Sequence, residues 1–144
     1  MLFGKKKRRI ERLLIVEDEP LLAFDTEHFL AGEGFAIVAT LDTVAGAMRA
    51  IEEGGEIDLV LVDVNLSDGS GIEVARTAQS RGMAVLFVTG RCPGEARALA
   101  AGCLAKPYPQ RDLLAAIDAI EAVIEGRKVP KRLPTSFSLF GVAG

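Results

Sequence analysis

The stretch Asp58-Leu59-Val60-Leu61-Val62-Asp63 sets four consecutive large apolar residues between two carboxylates. A run with no polar face fits a strand buried on both sides, as in a parallel sheet covered by helices. Its end at Asp63 matters because ligands of open α/β sheets bind outside the carboxyl ends of the strands. Other runs end the same way. Leu13-Leu14-Ile15-Val16 leads into Glu17-Asp18, Val85-Leu86-Phe87-Val88 into Thr89, and a short run over 103–105 into Lys106-Pro107. Acids, a hydroxyl and an ammonium group at neighbouring strand ends predict one site for a divalent cation and a phosphoryl group.

Between the runs lie amphipathic segments. Strands are expected at 12–16, 35–39, 58–62, 84–88 and 103–105. Pro20 fits the first turn of a helix that closes near Gly32-Glu33-Gly34. Asp42 or Thr43 can cap a second helix, whose Val44, Ala47, Met48 and Ile51 form one stripe before Gly54-Gly55. A loop through Gly69 and Gly71 leads to a helix over 72–81. Pro93 opens a short helix to about Ala101, and the last helix runs over 110–126. Alternating strands and helices predict an α/β fold: a doubly wound five-stranded parallel sheet with helices on both faces. Right-handed crossovers favour the flavodoxin-like order 2-1-3-4-5, which brings Glu17, Asp18 and Asp63 together.

At 144 residues the chain is one domain's worth. Three parts are expected: a basic N-terminal arm over 1–11, a body over 12–126, and a flexible C-terminal tail over 127–144. The net charge of −3 hides an uneven distribution, with +5 on residues 1–12, +4 on 127–144 and −12 between. The arms read as solvated extensions, and nucleic-acid binding through Lys5-Lys6-Lys7-Arg8-Arg9 as a side activity at most. The tail has two prolines and no helical period, yet Phe137, Leu139 and Phe140 could dock on the body or serve a partner. No stretch is long and apolar enough to span a membrane, and no secretory signal opens the chain. A cytoplasmic location is expected. Cys92 and Cys103 make neither a metal pattern nor a disulfide framework, and Cys103 reads as a small buried hydrophobe.

Crowded carboxylates repel unless a cation intervenes. Mg²⁺ suits oxygen donors and often bridges one or two carboxylates to a phosphate. Asp18 and Asp63 are the expected direct ligands, with Glu17 acting through water; no organic cofactor is expected. A carboxylate can also be a nucleophile that forms an aspartyl-phosphate. Mg²⁺, the Lys106 ammonium and the Thr89 hydroxyl would neutralise the phosphoryl oxygens. A calcium loop starting at Asp63 fails, because Asp68 and Val74 stand where Gly and Glu are required.

Val16-Glu17-Asp18-Glu19-Pro20, Leu61-Val62-Asp63 with Gly69 and Gly71, Val88-Thr89-Gly90 and Lys106-Pro107-Tyr108 together resemble the response-regulator receiver domain, the CheY-like phosphoacceptor of two-component signalling. The resemblance covers about residues 12–125. It implies that Asp63 receives a phosphoryl group from a histidine kinase, and that Asp18, Asp63 and the Asn65 backbone carbonyl bind Mg²⁺. Thr89 and Lys106 would bind the phosphoryl oxygens. Such a protein is a regulator that catalyses only its own phosphorylation and dephosphorylation. As a single-domain receiver it would act on a histidine phosphotransfer protein or a downstream regulator. Phe87-Val88-Thr89-Gly90 and Cys103, which stands where receivers usually carry an aromatic residue, are similar to the FAT GUY group associated with bacterial general-stress phosphorelays. Beyond the resemblance, the short segment 91–101 is expected to be the switch, and Arg91, two residues past Thr89, to shield the aspartyl-phosphate. The alternative is a receiver-like binding module that works without phosphate.

Overall fold

Strands without a polar face can be kept from water only by helices on both sides, and the chain folds that way. A computed structural model describes residues 8–141. In chain order the elements are β1 (Arg12–Val16), α1 (Pro20–Gly32), β2 (Ala36–Leu41), α2 (Val44–Glu52), β3 (Leu59–Val62), β4 (Asn65–Leu66), β5 (Gly69–Ser70), α3 (Gly71–Ser80), β6 (Ala84–Thr89), α4 (Ala96–Leu99), β7 (Gly102–Ala105), α5 (Gln110–Ile124) and β8 (Phe137–Leu139). The main sheet has the order β2-β1-β3-β6-β7-β8. Its first five strands are parallel and give the expected flavodoxin-like arrangement.

Alternation along each strand divides the core in two. Leu13 and Ile15 pack with Leu61, Leu86 and Leu104 against α1 and α5, where Leu30, Leu113, Ile117 and Ile120 are buried. Leu14 and Val16 pack with Val60, Val62 and Phe87 against Ile51 of α2 and Val74 of α3. Each fully buried large side chain contributes about 1.5–3 kcal/mol. At the start of α2 the Thr43 hydroxyl accepts from the Gly46 N–H at 2.9 Å. The Asp68 carboxylate accepts from the N–H groups of Val44 and Ala45 at 2.7 and 3.1 Å, and these bonds hold its carboxyl below the ordinary range.

The structure departs from expectation in four places. The tail over 127–144 was expected to be flexible, with its Phe137, Leu139 and Phe140 docking on the body or serving a partner; they take the first course, and Phe137–Leu139 form β8, antiparallel to β7. Phe137 is buried beside Leu104 in the α1–α5 core. A Cβ on Gly102 would meet the Phe137 ring at 2.6 Å, so glycine is what admits the sixth strand. Second, the helix expected from Pro93 to Ala101 is confined to Ala96–Leu99, because a turn occupies the residues after Pro93 and Ala100 is already extended. Third, the loop after Asp63 contains a small hairpin of β4 and β5. Fourth, Cys92 and Cys103 do form a disulfide, with Cα atoms 6.2 Å apart. They lie eleven positions apart in sequence, but the parallel crossover returns β7 beside the end of β6 and brings them together.

At the N-terminus, residues 1–7, with most of the basic run, lie outside the described residues. Arg8, from the expected arm, is held against the body. Its guanidinium pairs with Asp118 at 2.5 Å and Glu121 at 3.3 Å and lies 4.5 Å from the centre of the Phe35 ring. The Ile10 N–H donates to buried Glu121 at 2.8 Å.

Because Phe137 fills the core rather than decorating the surface, Phe137→Ala should lower stability by about 3 kcal/mol. Urea unfolding measures this, and a loss within the range of a surface substitution would show that β8 contributes nothing to the body.

Candidate functional site

Four adjacent parallel strands end on one side of the sheet, β1 and β3 level with each other and β6 and β7 running two residues further. Val16 lies opposite Val62, Val62 opposite Phe87, and Thr89 opposite Ala105. The next residues of three strands are therefore Glu17, Asp63 and Lys106, at one edge of the sheet. Backbone bonds continue the ladder into the site: the Asp63 N–H donates to the Val16 carbonyl at 3.1 Å, and the Lys106 N–H to the Thr89 carbonyl at 2.9 Å. The Lys106–Pro107 bond is cis.

The Lys106 ammonium is the centre of the arrangement. It lies 2.7 Å from Asp63 Oδ2, 2.8 Å from Glu17 Oε1 and 2.8 Å from Glu19 Oε2. Asp63 Oδ1 accepts the Asn65 N–H at 3.0 Å, and Glu17 Oε2 accepts the Glu19 N–H at 3.2 Å. Asp63 and Glu17 are buried, at 5% and 6% exposure. Burial works against the Lys106 charge, yet its bonds to Asp63, Glu17 and Glu19 outweigh this and raise its pKa. For Glu17, burial raises the pKa and wins over the lowering effect of Lys106 and the Glu19 N–H. A single ammonium thus serves three carboxylates: its charge is favoured by all of them, while the burial of Glu17 is not offset by its share of Lys106.

Glu17, Asp18 and Asp63 each present a carboxylate oxygen within 4.8 Å of the others. With one cation beside them, this set keeps an excess of negative charge. Three hard oxygen donors at this spacing fit Mg²⁺. Thr89 is wholly buried, and its hydroxyl oxygen has no hydrogen-bond partner. Buried polar atoms almost always have one, so this hydroxyl is available to a group that enters the site. The floor is closely packed: a Cβ on Gly71 would collide with the Asp63 carbonyl, and the Gly71 N–H donates to the Val64 carbonyl at 2.8 Å. Beside the acids a cleft of about 690 Å³ is lined by Asp18, Pro20, Leu21, Lys106, Pro107 and Tyr108.

The structure thus brings Glu17, Asp18, Asp63 and Lys106 together, with Asn65 attached to Asp63 and Thr89 at the end of the neighbouring strand. Sequence reasoning missed Glu19 as a partner of Lys106. The signal was its place in the acidic run directly before Pro20, but its bond to Lys106 depends on how α1 starts. Arg91, expected to shield the site, is exposed on the segment after Gly90.

The family model described as "Response regulator receiver domain" matches residues 13–118. The "Phyllosphere-induced regulator PhyR" of Methylorubrum extorquens is 32% identical over 111 residues, covering 73% of this chain and 41% of that protein. The "TorCAD operon transcriptional regulatory protein TorR" of Escherichia coli K12 is 31% identical over 80 residues, covering 55% of this chain and 34% of that protein. The chain therefore spans well under two thirds of the length of these curated relatives. Among solved structures, a CheY-like receiver domain protein from Methanospirillum hungatei matches with a TM-score of 0.66 and 29% identity, covering 76% of this chain and 91% of that one.

The raised pKa of Glu17 has a stability consequence. Between its ordinary value of 4.5 and its higher folded value, the folded state holds a proton that the unfolded state releases, so stability falls as pH rises through this window. Glu17→Gln should therefore unfold at higher urea concentration than the parent at neutral pH in metal-free buffer. Below pH 4.5 the two curves should converge. Urea melts at the two pH values make the comparison, and a variant less stable than the parent at neutral pH would contradict it.

Proposed function

The chain belongs to the response regulator receiver family, and we propose that it takes a phosphoryl group from a histidine kinase onto Asp63. The observation that carries this reading is the Lys106 ammonium on Asp63 at 2.7 Å, at the edge where the Thr89 hydroxyl is buried without a partner. A phosphoryl group on Asp63 would give Thr89 an acceptor and Lys106 a new anion. The carboxylate of Asp63 is the nucleophile: its O–P bond forms as the P–N bond to the kinase histidine breaks. Lys106 and Thr89 bind the phosphoryl oxygens. Mg²⁺, held by Asp18, Asp63 and the Asn65 backbone carbonyl with Glu17 acting through water, supplies further neutralisation when bound. The donor set of three close carboxylates supports that assignment.

The chain itself then acts as a regulator in the cytoplasm, by phosphorylation-dependent binding of a downstream partner or by passing phosphate to a histidine phosphotransfer protein. The likeness of Phe87–Gly90 to the FAT GUY group supports a setting in a general-stress phosphorelay. Among the described residues no helix is long and apolar enough to cross a membrane.

Incubation with acetyl phosphate and Mg²⁺, followed by intact-mass measurement, tests the reaction. The parent should gain one phosphoryl group, and Asp63→Asn or a chelator should abolish the gain. Thr89→Ala should slow it by at least about tenfold, through loss of one aligned donor. Equal incorporation by Asp63→Asn would remove Asp63 from this role. No incorporation by any form would favour a binding module that works without phosphate.

A further inference from the structure

Cys92 and Cys103 are joined across the segment that leaves the candidate site. Cys92 lies three residues beyond Thr89, on the connection between β6 and α4, and Cys103 lies within β7. Besides the disulfide, the connection is held by an exposed ion pair between Arg76 and Glu95 at 3.8 Å. Among the described residues, no N–H of Gly90, Arg91, Cys92, Gly94 or Glu95 donates to a backbone carbonyl. The helix that follows has only four residues, fixed by buried Ala96 and Leu99 and by the Gln79 side chain on the Ala98 carbonyl at 2.8 Å. A helix that short does not hold itself together. The disulfide is thus a principal anchor of the chain directly after Thr89.

The two cysteines differ in burial. Cys92 is half-buried and follows exposed Arg91, whereas Cys103 is wholly buried in the core with Phe87, Ala96 and Leu99. Cys92 is the one nearer solvent and Cys103 the one behind it, the order expected of an attacking and a resolving thiol. In a reducing compartment a disulfide of this kind is transient and regulatory rather than permanent.

We propose that Cys92 and Cys103 form a reversible peroxide-oxidised pair that fixes or frees the segment from Gly90 to Leu99, and through it sets the lifetime of the phosphoryl group on Asp63. The first half stands on the geometry of the two cysteines. The second rests on the reading of Asp63 as phosphoacceptor. In the oxidation the Cys92 thiolate attacks the peroxide and the O–O bond breaks. One oxygen stays on sulfur as a sulfenic acid, and the other leaves and takes a proton as water or an alcohol. The Cys103 thiol then attacks the Cys92 sulfur, the S–O bond breaks, and the departing hydroxide takes the thiol proton as a second water. Two thiols lose two electrons and the peroxide gains them. A dithiol reductant reverses the change.

The full chain is reduced with dithiothreitol, freed of reductant, and divided between buffer and hydrogen peroxide. Maleimide labelling after denaturation counts thiols, amide exchange reports on 90–99, and loss of mass after acetyl phosphate treatment gives the phosphoryl lifetime. Peroxide should remove both labels, and dithiothreitol should restore them. Exchange over 90–99 should be about tenfold faster in the reduced form, with β1 and β3 unchanged. The phosphoryl lifetime should differ at least about threefold between the two forms, and Cys92→Ser should behave as reduced in either condition. Cys103→Ala, which leaves no polar atom in the core, provides a second unlinked form if Cys92→Ser unfolds. Two labels that survive peroxide would overturn the pair. A pair that forms while exchange and lifetime stay equal would make the link merely structural and overturn its control of the site. If neither form takes phosphate, the reading of Asp63 fails together with the lifetime half of the proposal, while labelling and exchange still decide the redox half.

Discussion

Everything at the candidate site depends on the register of four parallel strands. Val16, Val62 and Phe87 lie level with one another, so Glu17 and Asp63 emerge side by side, while β6 and β7 run on by two residues and bring Thr89 and Lys106 in from further along. A slip by one residue is opposed by the apolar runs, since it would draw Asp58 or Asp63 into the buried ladder and exchange the side chains of two differently shaped cores. The placement of Glu17, Asp63 and Lys106 is therefore enforced by hydrophobic packing below them, not by their own attraction. Left to themselves, the acids would separate.

The consequence is electrostatic crowding that the protein only half relieves. Lys106 reaches three carboxylates, and Asp18 adds a fourth acid beside them. Glu17 is held with a raised pKa because its burial is not fully compensated. The unpartnered Thr89 hydroxyl is the complementary deficit, a polar group with nothing to bond. A folded protein that tolerates both an excess of anion and an idle hydroxyl at one spot retains unfavourable terms there, which a bound cation and a phosphoryl group could relieve together.

Much of this was legible beforehand. The apolar runs at 13–16, 59–62 and 85–88 announced buried strands, and the polar residues at their ends announced a shared edge. What could not be read came from partners distant in sequence. Asp68 caps α2 from more than twenty residues away, and nothing in its own neighbourhood signals that. Phe137 and Leu139 lie in a proline-bearing tail whose local composition argues for disorder, and only the notch above Gly102 makes a place for them. The Cys92–Cys103 link is the same kind of case. Spacing alone gives no reason to pair two cysteines, while the return of β7 beside β6 does. Short elements were misjudged for the opposite reason: Pro93 suggested a helix start, but Gly94 and an extended Ala100 left room for barely one turn.

The sixth strand also changes how the sheet meets its surroundings. A parallel sheet of five strands would leave β7 as a bare margin, with a row of unused N–H and C=O groups open to any passing chain. β8 satisfies that row with bonds that include Ala105 to Ser136 and Phe140 to Ala101, both at 2.8 Å. The new margin is only three residues long, runs the other way and ends just before Gly141, all of which make it a poor template for further strands. On this side the chain serves as its own blocking strand, and the stretch that seats Phe137 in the core also protects the protein from polymerising through its sheet.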